Sequence, residues 1–146
     1  MLTIRKSQFS IPLLAMAAVV LAPAAAHAST AGDISPSQVL NTSPLWTDIL
    51  SSYSCNVVNV TTSAVQIFVE IIESSGSVLA SSESTINLAA GTSYELNFTA
   101  GYTGFARCRF TSNNPPGTIR ANLTILYAYA LGSGVFYQTY ATSEAR

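Results

Sequence analysis

Three arginines stand close together in a chain that has few charges. Arg107, Arg109 and Arg120 lie within one short stretch, and the only other arginine beyond residue 28 is Arg146. A guanidinium fork suits carboxylate and phosphate groups because it offers paired N–H donors in one plane. If residues 106–112 and 118–124 pair as a hairpin across Asn113-Asn-Pro-Pro-Gly117, Arg109 lies opposite Arg120 and Arg107 opposite Asn122. Partners across a sheet share a face. Continuing through Gly132-Ser133 brings Tyr137 onto the same face, with Thr124, Leu126 and Thr139. Arg107, Arg109, Arg120 and Tyr137 are therefore the candidate ligand-contact face, and an anionic glycan is the ligand class that fits. The competing explanation is structural: glutamates on a neighbouring strand pair with these arginines. Like charges directly opposite one another destabilise a sheet unless something offsets them. A one-residue slip in register would carry every one of these side chains to the other face.

Catalytic chemistry finds little support. Activated serine, threonine or cysteine needs a neighbouring base, and the single histidine, His27, and single lysine, Lys6, both precede residue 29. Glu70 and Glu73 stand three apart on an alternating segment, so they point to opposite faces. Glu83 and Glu95 fall on separate segments, and solvated surface carboxylates explain all four better than a glycosidase pair does. No glycine-rich phosphate loop and no Asp-rich calcium loop occur. Two cysteines without histidine do not complete a zinc site. The expectation is a protein that is not an enzyme, with no cofactor and no metal.

The elements that position these residues begin after a leader. Arg5 and Lys6 are followed by the apolar run from Ile11 to Ala22, by Pro23, and by Ala26-His27-Ala28. Positive start, apolar middle and small residues before the cut define a secretory signal peptide. Residues 1–28 are expected to be cleaved, and residue 29 is serine, so no lipid anchor is expected. No later run is apolar and long enough to span a bilayer as a helix. The alanine-rich leader is bacterial in character, which places the protein in the periplasm or outside the cell. The remainder carries four arginines against seven carboxylates, so nucleic acid is not an expected partner. In an oxidising compartment Cys55 and Cys108 are expected to pair. Closing a loop of that length stabilises a fold by about 4 kcal/mol on the chain-entropy model.

Residues 29–52 read as a mobile N-terminal segment. Within it, 43–50 has the makings of a short helix, with Ser43 as N-cap and Pro44 at the first helical position. Trp46 and Leu50 would then plug one end of the core, in preference to stacking on a ligand. From 53 to 146 the period is two. Val65, Ile67, Val69 and Ile71 alternate, as do Tyr94, Leu96 and Phe98, and Ala106, Cys108 and Phe110. Shorter segments lie near 78–79 and 85–88, and Gly132-Ser133 suits a two-residue hairpin turn between about 119–130 and 135–141. Seven or eight short strands, with turn signals every 8–12 residues or so, define a single all-β domain of the sandwich class.

Cys55 on an early strand and Cys108 on a late one resemble the immunoglobulin-like plan, in which a disulfide crosses between two sheets. The chain departs from true immunoglobulin domains in having no tryptophan on the strand after Cys55, and Ala106 where a tyrosine stands two residues before the second cysteine. The resemblance implies a sandwich of similar plan. The leading functional expectation is an exported non-enzymatic binding or structural module that meets a glycan or an envelope protein. A subunit of a surface fibre, resembling pilins assembled by strand donation, is the alternative, although the stretch before Cys55 is polar and proline-broken. A carboxylate-dependent glycan hydrolase is the distant third. Sequons at Asn41, Asn59, Asn97 and Asn122 are read as sheet residues in a bacterial chain.

Overall fold

A computed structural model describes residues 36–99, 101–131 and 134–146. The expected leader and residues 29–35 lie outside the described residues. The described chain is built of ten strands, more than the seven or eight expected because residues before β3 add two short strands on the edge of β8: β1 (Gln38–Asn41), β2 (Leu45–Thr47), β3 (Ser51–Asn59), β4 (Val65–Glu73), β5 (Val78–Ser81), β6 (Ile86–Leu88), β7 (Ser93–Phe98), β8 (Gly104–Ser112), β9 (Ile119–Leu131) and β10 (Gly134–Glu144). They form two antiparallel sheets. One runs β1-β8-β4-β5, with β2 also on β8 and β6 also on β4; the other runs β10-β9-β3-β7.

Alternation decides which rows face inward. Val65, Ile67, Val69 and Ile71 of β4 meet Tyr53, Cys55 and Val57 of β3, Ala106, Cys108 and Phe110 of β8, and Leu123 and Ile125 of β9 in one buried cluster. Burying each such aliphatic or aromatic side chain contributes about 1.5–3 kcal/mol. The cluster is 0–5% exposed within a single chain, so no strand from a neighbour is required to cover it. At its centre Cys55 and Cys108 form a disulfide between the two sheets, with Cα atoms 5.8 Å apart and 53 residues of separation. Tyr94, Leu96 and Phe98 of β7 pack against the cluster as their alternation predicts.

Three expectations are corrected. First, β8 and β9 are not a hairpin. Both edges of β8 are occupied, by β4 on one side and by β1 and β2 on the other, so β9 has no place beside it. The Asn-Pro-Pro-Gly turn, with Gly117 at φ 89°, therefore carries the chain across to β3 in the opposite sheet. Second, residues 43–50 hold no helix. Leu45, Trp46 and Thr47 pair with Ala106, Phe105 and Gly104. A turn follows in which the Asp48 carboxylate accepts from Leu50 N–H and Ser51 O–H, each at 3.0 Å. So short a helix has too few internal hydrogen bonds to compete with a free sheet edge. Third, residues 38–41 of the supposed mobile segment form β1, which pairs with β8 from Gln38↔Ser112 to Asn41↔Arg109.

Candidate functional site

The four candidate contact residues do not converge. Arg107 and Arg109 stand two apart on the outer row of β8, whereas Arg120 is on β9 in the other sheet, beside Val58. Arg109 faces Glu70, its register partner on β4. Its Nε donates to Glu70 Oε2 at 2.6 Å, and the Glu70 side chain is 3% exposed against 39% for Arg109. The hydrogen bond it donates to Glu70 holds the guanidinium above its ordinary range, even though burial pulls the other way. Arg109 is thus matched by a carboxylate, as the structural explanation expects. Arg107 borders a shallow cleft with Pro44, Ile72, Glu73 and Phe105. Beside it the Glu73 carboxyl is held below its usual range by hydrogen bonds from Ser75 and then Ser77.

Arg120 opens onto a different cleft, of about 410 Å³, lined also by Gln38, Asn56, Ser93, Asn122 and Glu144. Gln38 Oε1 and Asn122 Oδ1 are buried there without a hydrogen-bond partner among the protein atoms. Tyr137 sits opposite Ala128 on the outer row, eight residues along β9 from Arg120, and is 64% exposed. It is too far along the strand, at about 3.3 Å per residue, to share a ligand with Arg120.

The arrangement the sequence reading missed is apolar. Among the described residues nine large apolar side chains remain exposed, and seven of them, Trp46, Ile49, Leu50, Phe105, Val135, Tyr137 and Tyr140, lie toward one end of the sandwich, Trp46 and Phe105 on one sheet and Val135, Tyr137 and Tyr140 on the other. Pairing brings them there. Trp46 is the register partner of Phe105. Leu50 O accepts from Ala128 N–H, and Ala128 is the partner of Tyr137. Beyond Ser51↔Tyr127 the β9–β10 hairpin has no support from β3 and projects past the end of the sheet. Trp46 (48%) and Leu50 (58%) therefore do not plug the core.

Tyr53 fills that inner role. Its hydroxyl donates to Gly104 O at 2.6 Å and Leu45 O at 3.1 Å, tying β3 to the opposite sheet, and burial drives its pKa upward. Tyr102 packs at the same end, its ring tilted against that of Tyr53 at 6.2 Å and edge-on to that of Phe98 at 6.5 Å. Gly104 has φ 155°, and a Cβ there would lie 2.6 Å from the Tyr102 oxygen. A side chain before Phe105 is therefore strained by the backbone conformation and crowded by the Tyr102 ring. One sequence signal pointed to this end: no charged residue occurs from Ala121 through Ser143.

Of the carboxylates, Glu70 is used by Arg109 and Glu95 accepts from Ser54. Among the described residues no cluster of three His, Cys, Asp or Glu side chains could hold a metal. None of the helices that could cross a membrane is found among the described residues.

No protein-family model matches the chain, and no curated protein matches it. A solved structure described as "Crystal Structure of Thermotoga maritima 1070" is similar over 76% of this chain and 95% of that one, with 10% sequence identity and a TM-score of 0.48.

Proposed function

We propose that the protein is an exported, non-enzymatic, immunoglobulin-like β-sandwich that acts as a binding or structural module of the bacterial envelope or extracellular space. The observation that carries this reading is the apolar end around Trp46, Leu50, Phe105 and Tyr137. Large apolar side chains left exposed at one end of a small domain are the kind of surface that a partner covers. The buried Cys55–Cys108 disulfide supports export, because such bonds persist in oxidising compartments. Immunoglobulin-like describes the cross-sheet disulfide and the pairing of β3 with β7 and of β4 with β8. The edge places differ, with β9 beside β3 and β1 beside β8.

The fibre reading in its strand-donation form is weaker, because the core is already covered by the chain itself and leaves no groove for a donated strand. A photoreactive amino acid at Trp46 or Leu50 in intact cells tests the main reading, with Val60, exposed elsewhere, as control. Adducts with an envelope or extracellular macromolecule are expected from the first two positions and not from the third. Equal labelling from all three, or a chain found in the cytoplasm with both thiols free, overturns it.

A second reading keeps an anionic glycan, now at Arg120 alone. It is favoured by the cleft of about 410 Å³ that Arg120 borders, lined also by the polar residues Gln38, Asn56, Ser93 and Asn122. Calorimetric titration with polygalacturonate should give binding that Arg120→Gln abolishes and Arg109→Gln leaves in place. Binding unaffected by Arg120→Gln removes this reading.

A further inference from the structure

β10 pairs with β9 on one side only. Near its end the chain approaches β1, through the bridge Thr42↔Ala145 and the hydrogen bonds between Asn41 and Arg146. Before that, no strand is hydrogen-bonded to the outer edge of Gly134–Tyr140 among the described residues, although β2 comes close to β10. An edge of this kind presents a row of unpaired N–H and C=O groups that only another strand satisfies in full. Proteins that avoid such pairing place lysine, proline or an inward charge on the edge. This segment, Gly-Val-Phe-Tyr-Gln-Thr-Tyr, has none of them. It is rich in aromatic and β-branched residues, and Val135, Tyr137 and Tyr140 are 62%, 64% and 76% exposed. A register shift between Thr139 and Ala141 interrupts the β9–β10 pairing at the far end of this segment.

We propose that this edge is where a second copy of the same chain adds, antiparallel and two-fold related, so that two four-stranded sheets become one continuous sheet. The occupant follows from charge. In a two-fold antiparallel strand pair only residues at or next to the axis face their own counterparts, so a charge near the centre of such an edge is repelled by its copy. β10 carries no charge from Gly134 to Ser143 and is compatible with itself. The other free edge of that sheet, β7, carries Glu95 in its middle, and β5 and β6 are only four and three residues long. A register centred on Tyr137 sets that side chain against its counterpart, an aromatic cross-strand pair. The addition is beside the sheet and leaves each core as it is. This inference deepens the proposed module by naming its partner, and rests on that reading for its biological setting only.

The test is sedimentation velocity of the purified, disulfide-bonded protein over a wide concentration range. The wild-type chain is expected to pass from monomer to dimer, Tyr137→Lys to weaken association at least tenfold, and Val39→Lys, on an exposed site of β1, to leave it unchanged. Tyr137→Cys is expected to form a covalent dimer under mild oxidation. A wild-type chain that is monomeric at every concentration, or a dimer that Tyr137→Lys leaves intact, overturns the proposal. Adducts from Trp46 to a different envelope component would survive that failure, so the two readings are separately decided.

Discussion

At the scale of single residues, the polar side chains with the most internal bonds carry the sharpest predictions. Asn59 is fully buried, and its amide donates to the carbonyls of Ser63, Leu88 and Ala89 at 2.7, 3.0 and 3.1 Å. Its oxygen accepts from Thr61 N–H at 2.9 Å. Asn59→Ala leaves several of these groups without partners, and a loss of about 2–3 kcal/mol is expected in urea unfolding. Arg109→Gln strands the Glu70 carboxylate, which is 2% exposed. Because the arginine itself is partly solvated, the expected loss is about 1–2 kcal/mol, below the figure for a fully buried pair. The sequence alone offered a partnered arginine and a ligand-binding one as alternatives. It could not say which strand lay beside β8, and that neighbour decides the matter for Arg109.

Tyr53 gives a pH dependence whose sign follows from burial. Its folded pKa is raised, so the unfolded chain loses the phenolic proton first as the solution becomes alkaline. Stability from this group is complete below the unfolded value of about 10 and falls as pH rises beyond it. Chemical denaturation between neutral pH and pH 11 should show the decline, and Tyr53→Phe should flatten it. The same variant should cost about 1–2 kcal/mol at neutral pH, because the carbonyls of Leu45 and Gly104 lose their donor.

At the scale of elements, alternation was legible and adjacency was not. The inward rows of β4, β7 and β8 are readable from period two alone, since one face must leave water. The partner of each strand depends on which edges are vacant, a property of the whole sheet. A hairpin through Asn-Pro-Pro-Gly satisfied every local rule and failed because β1 and β2 already occupied the edge of β8. The short helix at 43–50 failed for the same reason. Gly104→Ala tests how firmly the start of β8 is set: a Cβ there meets Tyr102 at 2.6 Å, and the φ of 155° disfavours any side chain. Loss of about 1–3 kcal/mol and a change in Tyr102 fluorescence or near-ultraviolet circular dichroism are expected.

At the scale of the molecule, one covalent bond joins two sheets that otherwise meet through packed side chains and a few hydrogen bonds, those of Tyr53 and Asn59 and the bridge Thr42↔Ala145 among them. Replacing Cys55 and Cys108 together by alanine should reduce stability by about 4 kcal/mol, read as a lower denaturation midpoint. That is a large share of the 5–15 kcal/mol by which such domains are stable. The surface is divided, with apolar side chains at the end bearing β2 and the β9–β10 hairpin.

By itself the sequence determined the all-β class, the inward rows and the cysteine pairing. Each of these follows from local period or from the number of available partners. The tertiary structure decided that Arg107, Arg109, Arg120 and Tyr137 do not share one face, and that Trp46, Leu50, Phe105 and Tyr137 gather at one end. The physical reason is that alternation sets which side of a strand is buried, whereas competition among strands for free edges sets which strands are neighbours.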